Sequence, residues 1–218
     1  MNPTAILRTA APLFFVFAIV SHAAGATIEG RVELPEAGAT TVINKRYQII
    51  SQGGVLSPSP PVAVVYVEGD FPASAEEQVT QVEQKELMFS PSLLPIRTGT
   101  RVEFPNLDDT YHNVFSYSPP KRFDLGRFRA DERPVPSQVF EEAGLVTLRC
   151  DIHDHMRALI LVLDTPHFVV TDEDGSFALE GIPPGRHLVK AWIDSRTVRE
   201  QTVEIGGDGA IVRVEFPR

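Results

Sequence analysis

The chain has 218 residues, of which 43% are hydrophobic, 22% charged and 8% aromatic, a globular composition that excludes a disordered, collagen-like or multi-span membrane protein. Its formal net charge of −9, from 20 Lys and Arg against 29 Asp and Glu, lacks the basic stripe that nucleic acid or an anionic lipid surface requires. With 18 prolines and 15 glycines there is little room for long amphipathic helices, so many short strands joined by turns are predicted and the fold class is all-β.

The first segment reads as a signal peptide over residues 1–26. One positive charge, Arg8, precedes an apolar run from Thr9 to Val20, and small residues then allow cleavage after Ala23 or Ala26. The run is shorter than the ~20 residues of a spanning helix, so no stable membrane insertion is expected after cleavage. Loss of Arg8 makes the mature chain one unit more acidic. The expected location is the periplasm, an oxidising compartment where a lone thiol risks mispairing. Cys150 is the single cysteine, so it cannot form an internal disulfide and calls for another explanation.

Farther along, Ile28, Val32 and Leu34 alternate with Glu29, Arg31 and Glu33, which predicts a half-buried strand. Val62–Val67 is apolar on both faces and suits a central strand. Val102 and Phe104 alternate with Arg101 and Glu103, as Val146, Leu148 and Cys150 do with Thr147 and Arg149. Ala158–Leu163 is again apolar throughout, and Asp164-Thr-Pro166 ends it. The tail adds Phe177 and Leu179, then Val189, Ala191 and Ile193, then Val212, Val214 and Phe216. Asp172–Gly175 and Ile182–Gly185 read as tight turns with Gly at positive φ, and turn chemistry accounts for the acidic residues of the first without calcium. Such a series of strands predicts one β-sandwich or two.

Chemistry concentrates in Cys150-Asp-Ile-His153-Asp-His155-Met156, a turn between two predicted strands, and in His112, which follows the loop Asn106–Asp109. In a sandwich the two loops can meet at one end. A thiolate, two imidazoles and a distant thioether form the ligand set of a blue-copper electron-transfer site: soft sulfur favours Cu(I), imidazole suits Cu(II), and a geometry between the two preferences eases electron transfer. Zinc is the competing metal, but its sites do not need Met. A binuclear copper centre needs two bridging thiolates and is excluded. His153 is favoured over His155 as the second imidazole because Met156 then lies three residues on, which leaves His155 on the rim.

The stretch Phe89–Asp108, then His112-Asn-Val, then Gly144–Cys150 with His153 and Met156, resembles the cupredoxins over about Gln78 to Asp164. The resemblance implies a Greek-key β-sandwich at 78–164 holding one type 1 copper ion through His112, Cys150, His153 and Met156. It further implies that Asn113 ties the two ligand loops together. The polar Asp151, Asp154 and His155 stand where the amicyanin-type loop has prolines, which argues against docking through an apolar patch. Phe168–Trp192 resembles the second half of a carboxypeptidase regulatory-like sandwich, whose first half fits Gly30–Val32 and Val62–Val67. A discontinuous second domain over 27–70 plus 165–218 is therefore expected, with Trp192 in its core.

The expected function is a periplasmic one-electron carrier whose acidic surface docks a c-type cytochrome or a periplasmic oxidoreductase. The alternatives are a copper chaperone or storage protein, and a non-redox scaffold or adhesion module. An enzyme is not expected, since no acid and base pair or nucleophile triad is evident and four side chains leave the ion no open position for substrate.

Overall fold

The computed structural model describes residues 25–36, 60–69, 71–72, 76–207 and 209–218, and among them there are strands and turns but no helix. The first strands are β1 (Ala26–Val32) and β2 (Val64–Glu68). The middle of the chain supplies β3 (Val79–Gln81), β4 (Glu83–Lys85), β5 (Met88–Ser90), β6 (Leu93–Arg97) and β7 (Thr100–Glu103). It continues with β8 (His112–Ser116), β9 (Phe123–Phe128), β10 (Ser137–Phe140), β11 (Gly144–Arg149) and β12 (Arg157–Leu163). Last come β13 (Phe168–Val170), β14 (Ser176–Ile182), β15 (Gly185–Asp194), β16 (Thr197–Ile205) and β17 (Ile211–Phe216).

The protein is all-β, and its described residues form two sandwich cores. In the central sandwich a five-stranded sheet, ordered β6-β12-β11-β8-β9, faces the sheet β10-β7-β3 and the hairpin β4-β5. Alternation decides which side chains meet: Val146, Leu148, Ala158, Ile160 and Val162 point inward onto Val102, Phe104 and Phe140. The other sandwich draws strands from both ends of the described chain. β1 lies between β14 and β17, opposite the sheet β13-β2-β15-β16, with Ile28, Val65, Val67, Ala191 and Phe216 in the shared core.

A third apolar layer joins the two. The outward residues of β12, Leu159, Leu161 and Leu163, pack with Leu93 against Val64 and Trp192 on the outer face of the β2-β15 sheet. This is why Ala158–Leu163 and Val62–Val67 carry no polar face: each strand is covered on both sides. Trp192 is buried, as expected of a core residue, but it lies in the layer between the sandwiches, away from the inner core of its own.

The expected leader falls largely on residues 1–24, outside the described residues. Ala26, where the expected leader ends, lies within the described residues and is fully buried as the first residue of β1.

Gly30, in the middle of β1, is required by close approach. A Cβ there would lie 1.7 Å from the carbonyl oxygen of Val214 on β17. Gly30→Ala should therefore lower stability by about 1–3 kcal/mol or more, since the parallel β1-β17 pairing must separate to admit the methyl group. Equilibrium urea unfolding checks this.

Candidate metal centre

The two ligand segments meet at one end of the central sandwich. β8 opens on His112, which is fully buried, and β11 ends one residue before Cys150, whose inward alternation carries the thiol into the same core. The six residues from Asp151 to Met156 reverse the chain into β12, and the turn closes by the Met156 N–H donating to the His153 carbonyl at 2.9 Å. Inside it, Nδ1 of His153 lies 3.2 Å from Nδ1 of His112 and 3.9 Å from Sγ of Cys150.

All three donor atoms fall within 4.8 Å of one another, the only such group among the described residues. Metal–imidazole bonds of about 2.0 Å and metal–thiolate bonds of about 2.3 Å allow two donors on one ion to stand up to about 4.0–4.3 Å apart, so both measured separations fit a shared ion. Met156 is buried in the same apolar cluster as Cys150. His155 is exposed, its ring centroid 6.1 Å from that of His153 and outside the donor group.

His112 is held by a residue that the sequence reading did not single out. Its Nε2 lies 2.8 Å from Oδ2 of Asp108, four residues earlier. An ionised carboxylate only accepts, so Nε2 carries the proton and Nδ1 presents its lone pair toward Cys150 and His153. Asp108 also accepts the N–H groups of Glu86 at 2.7 Å and Leu87 at 3.0 Å. Burial opposes ionisation of Asp108, but the bonds from Leu87, His112 and Glu86 outweigh it and hold the carboxyl below its usual range. Asn106 steadies the loop: its Oδ1 accepts the Asp108 N–H and its Nδ2 donates to the carbonyls of Thr110 and Phe128. An acid four residues before a ligand histidine was the available signal.

Asn113 differs from what the resemblance implied. Its side-chain amide donates to Oδ1 of Asp124 at 2.7 Å and to the Gly126 carbonyl at 3.0 Å, so it ties β8 to β9. Its Oδ1 is buried without a hydrogen-bond partner. The link from β9 to the Cys150 turn is made instead by Arg127, whose Nε and Nη2 donate to Oδ2 of Asp151 at 3.1 and 2.9 Å.

The acidity of His153 is raised by its surroundings: burial first, then His112 and His155, push its pKa below 6.5, against a smaller opposing effect of Asp108. Neutral imidazole is the metal-binding form, so His153 stays ready to bind at lower pH than a free histidine. The sign for stability follows. In the metal-free protein the unfolded chain takes up the proton first as pH falls below 6.5, so this contribution is full above 6.5 and lost as pH drops through the lowered folded value. His167, also lowered by burial, acts in the same direction. The metal-free protein should thus unfold at lower urea concentration at pH 5 than at pH 7.5, and His153→Gln should shrink that difference.

No protein-family model matches the chain, and no curated protein matches it. Among solved structures, a purple cupredoxin from Nitrosopumilus maritimus aligns at 26% identity and a TM-score of 0.33, over 38% of this chain and 97% of that one. The amicyanin of Paracoccus versutus aligns at 22% identity and a TM-score of 0.35, over 45% of this chain and 96% of its own. A copper-containing nitrite reductase from Thermus scotoductus aligns at 25% identity and a TM-score of 0.37, over 46% of this chain and a quarter of that one.

Proposed function

We propose that the central sandwich binds one type 1 copper ion through His112, Cys150 and His153, with Met156 as a weak axial ligand, and that the protein is an exported one-electron carrier of the periplasm. The observation that carries this reading is the convergence of two imidazole nitrogens and the single thiol on one buried point. Copper, when bound, supplies cycling between Cu(I) and Cu(II). The protein's part is to hold the two imidazoles and the thiol in one arrangement, through Asp108 on His112 and the short turn around His153, so that little has to move when charge changes. Four side-chain ligands would leave a bound ion no position for substrate, and the reading includes no enzymatic turnover.

Large apolar side chains are exposed in segments bonded to, or next in sequence to, the residues of the candidate site. Leu87, Met88, Leu107, Tyr111 and Ile152 are all exposed; the Leu87 N–H donates to Asp108, which bonds His112, and Tyr111 and Ile152 directly precede His112 and His153 in the chain. The β4-β5 hairpin and the loop before β8 are the proposed docking face, beside the polar Cys150 turn. The proposed partner, a c-type cytochrome or a periplasmic oxidoreductase, would seat on this face with the acidic remainder of the surface steering its approach. The electron-transfer rate with a basic cytochrome should fall as salt rises. The second sandwich, read as carboxypeptidase regulatory-like over 27–70 plus 165–218, is the framework into which the copper domain (78–164) is inserted.

The deciding experiment adds Cu(II) to the metal-free exported protein and records the visible spectrum and a voltammogram. An intense thiolate-to-copper band with reversible one-electron redox is expected. Copper that is surrendered quickly to a chelator, without reversible redox, would replace the carrier by a chaperone. A protein that binds none would be left with the scaffold reading. Asp108→Asn should lower copper affinity about 10–100-fold in chelator competition, because an amide no longer dictates which His112 nitrogen is protonated.

A further inference from the structure

We infer that the two-residue turn Glu86–Leu87 is a positioning element for His112: its paired backbone N–H groups grip Asp108 and so determine which imidazole nitrogen points at Cys150 and His153. The inference deepens the copper reading and rests on it only for the consequence in metal affinity.

The turn is built against local preference. It joins β4 to β5, and both of its residues are left-handed, Glu86 at φ 54° and Leu87 at φ 59°. Two-residue hairpins of this kind favour Asn-Gly, since a residue with a branched or bulky side chain in that region costs about 1 kcal/mol or more. Burial does not offset the cost, because Glu86 is exposed and Leu87 is 38% exposed. What the conformation does achieve is to aim two successive N–H groups at one carboxylate, a concave anion-binding arrangement of backbone. The recipient is Asp108, and its remaining contact is Nε2 of His112.

The hairpin and the acidic loop are joined by backbone hydrogen bonds. The Gln84 N–H donates to the Pro105 carbonyl and the Leu107 N–H to the Gln84 carbonyl, both at 2.8–2.9 Å. Asn106 accepts the Asp108 N–H from within that loop. With three hydrogen bonds on its two oxygens, the Asp108 carboxylate cannot rotate away from His112, and the His112 ring cannot exchange its two nitrogens without losing an acceptor in a buried setting. The chain of contact therefore runs from an exposed turn to a ligand nitrogen through one carboxylate.

The test is made first on the copper-free full chain, where nitrogen NMR of His112 reports which ring nitrogen bears the proton and hydrogen exchange reports the Glu86 and Leu87 amides. Wild type should show the Nε2–H form and slowed exchange at both amides. Insertion of one glycine between Glu86 and Leu87 should speed that exchange at least tenfold, mix the two His112 tautomers and then lower copper affinity by tenfold or more. The double variant Glu86→Asn, Leu87→Gly keeps both N–H groups in the turn its sequence prefers and should restore the wild-type tautomer and affinity. Should the insertion unfold the hairpin, Asp108→Ala supplies the reciprocal reading: both amides must exchange faster. Unchanged exchange in Asp108→Ala, or an unaltered His112 tautomer when the amides have been freed, overturns the proposal. Because tautomer and exchange are read without copper, a wild type that binds no copper would refute the copper reading and leave this one standing.

Discussion

Cys150→Ser is expected to abolish the visible band and to reduce Cu(I) affinity by more than the roughly 10–100-fold typical of losing a supporting residue, because the substitution removes a ligand itself. Serine is nearly the size of cysteine, so the fold should survive and circular dichroism should not change. What is lost is the soft, polarisable thiolate: a hydroxyl does not ionise at neutral pH and its hard oxygen does not favour Cu(I). The absorption also disappears, since its donor orbital is on sulfur. His155→Ala is the matching control. That ring is exposed and lies outside the donor group, so band and affinity should be unchanged. A band that survives Cys150→Ser, or vanishes in His155→Ala, would move the metal away from the site assigned here.

Trp192→Ala should cost about 3–5 kcal/mol in equilibrium unfolding, the range for removing a buried indole. Trp192 is 5% exposed and packs in the layer with Val64, Leu93, Leu159, Leu161 and Leu163, so truncation opens a cavity where the outer faces of two sheets meet. Those faces are stiffened by their own hydrogen bonds and collapse poorly into the space. The copper spectrum should be unaffected, because the ligands sit on the opposite, inner face of the β12 sheet. Guanidinium unfolding and the visible spectrum, measured on the same sample, check both halves. A loss of stability below about 1 kcal/mol would show that the layer is not a packed core.

Some of this was legible in linear order because the physics is local. A strand places alternate residues on opposite faces, so Val146, Leu148 and Cys150 had to share a side, and a six-residue reversal after Cys150 had to keep His153 near it. Strands without a polar face had to be covered twice. Which layer covered them was not legible: Leu159 and Trp192 are far apart in the chain, and nothing in either segment names its partner. The same holds for Asn113, whose amide could be read as a tie between the ligand loops until Asp124 proved to stand beside it.

By itself, then, the order of residues determined an all-β chain, the set of side chains able to bind a soft metal, and the surplus of acid around them, since these follow from alternation, side-chain chemistry and charge. Tertiary structure alone decided that β1 seats between β14 and β17, that Asp108 bonds His112 while Asn113 bonds Asp124, and that a left-handed turn at Glu86 and Leu87 reaches Asp108. The reason is one of range. Strand faces are set by backbone geometry over a few residues, whereas hydrogen-bond partners are set by which polar groups the packing of distant strands brings within reach.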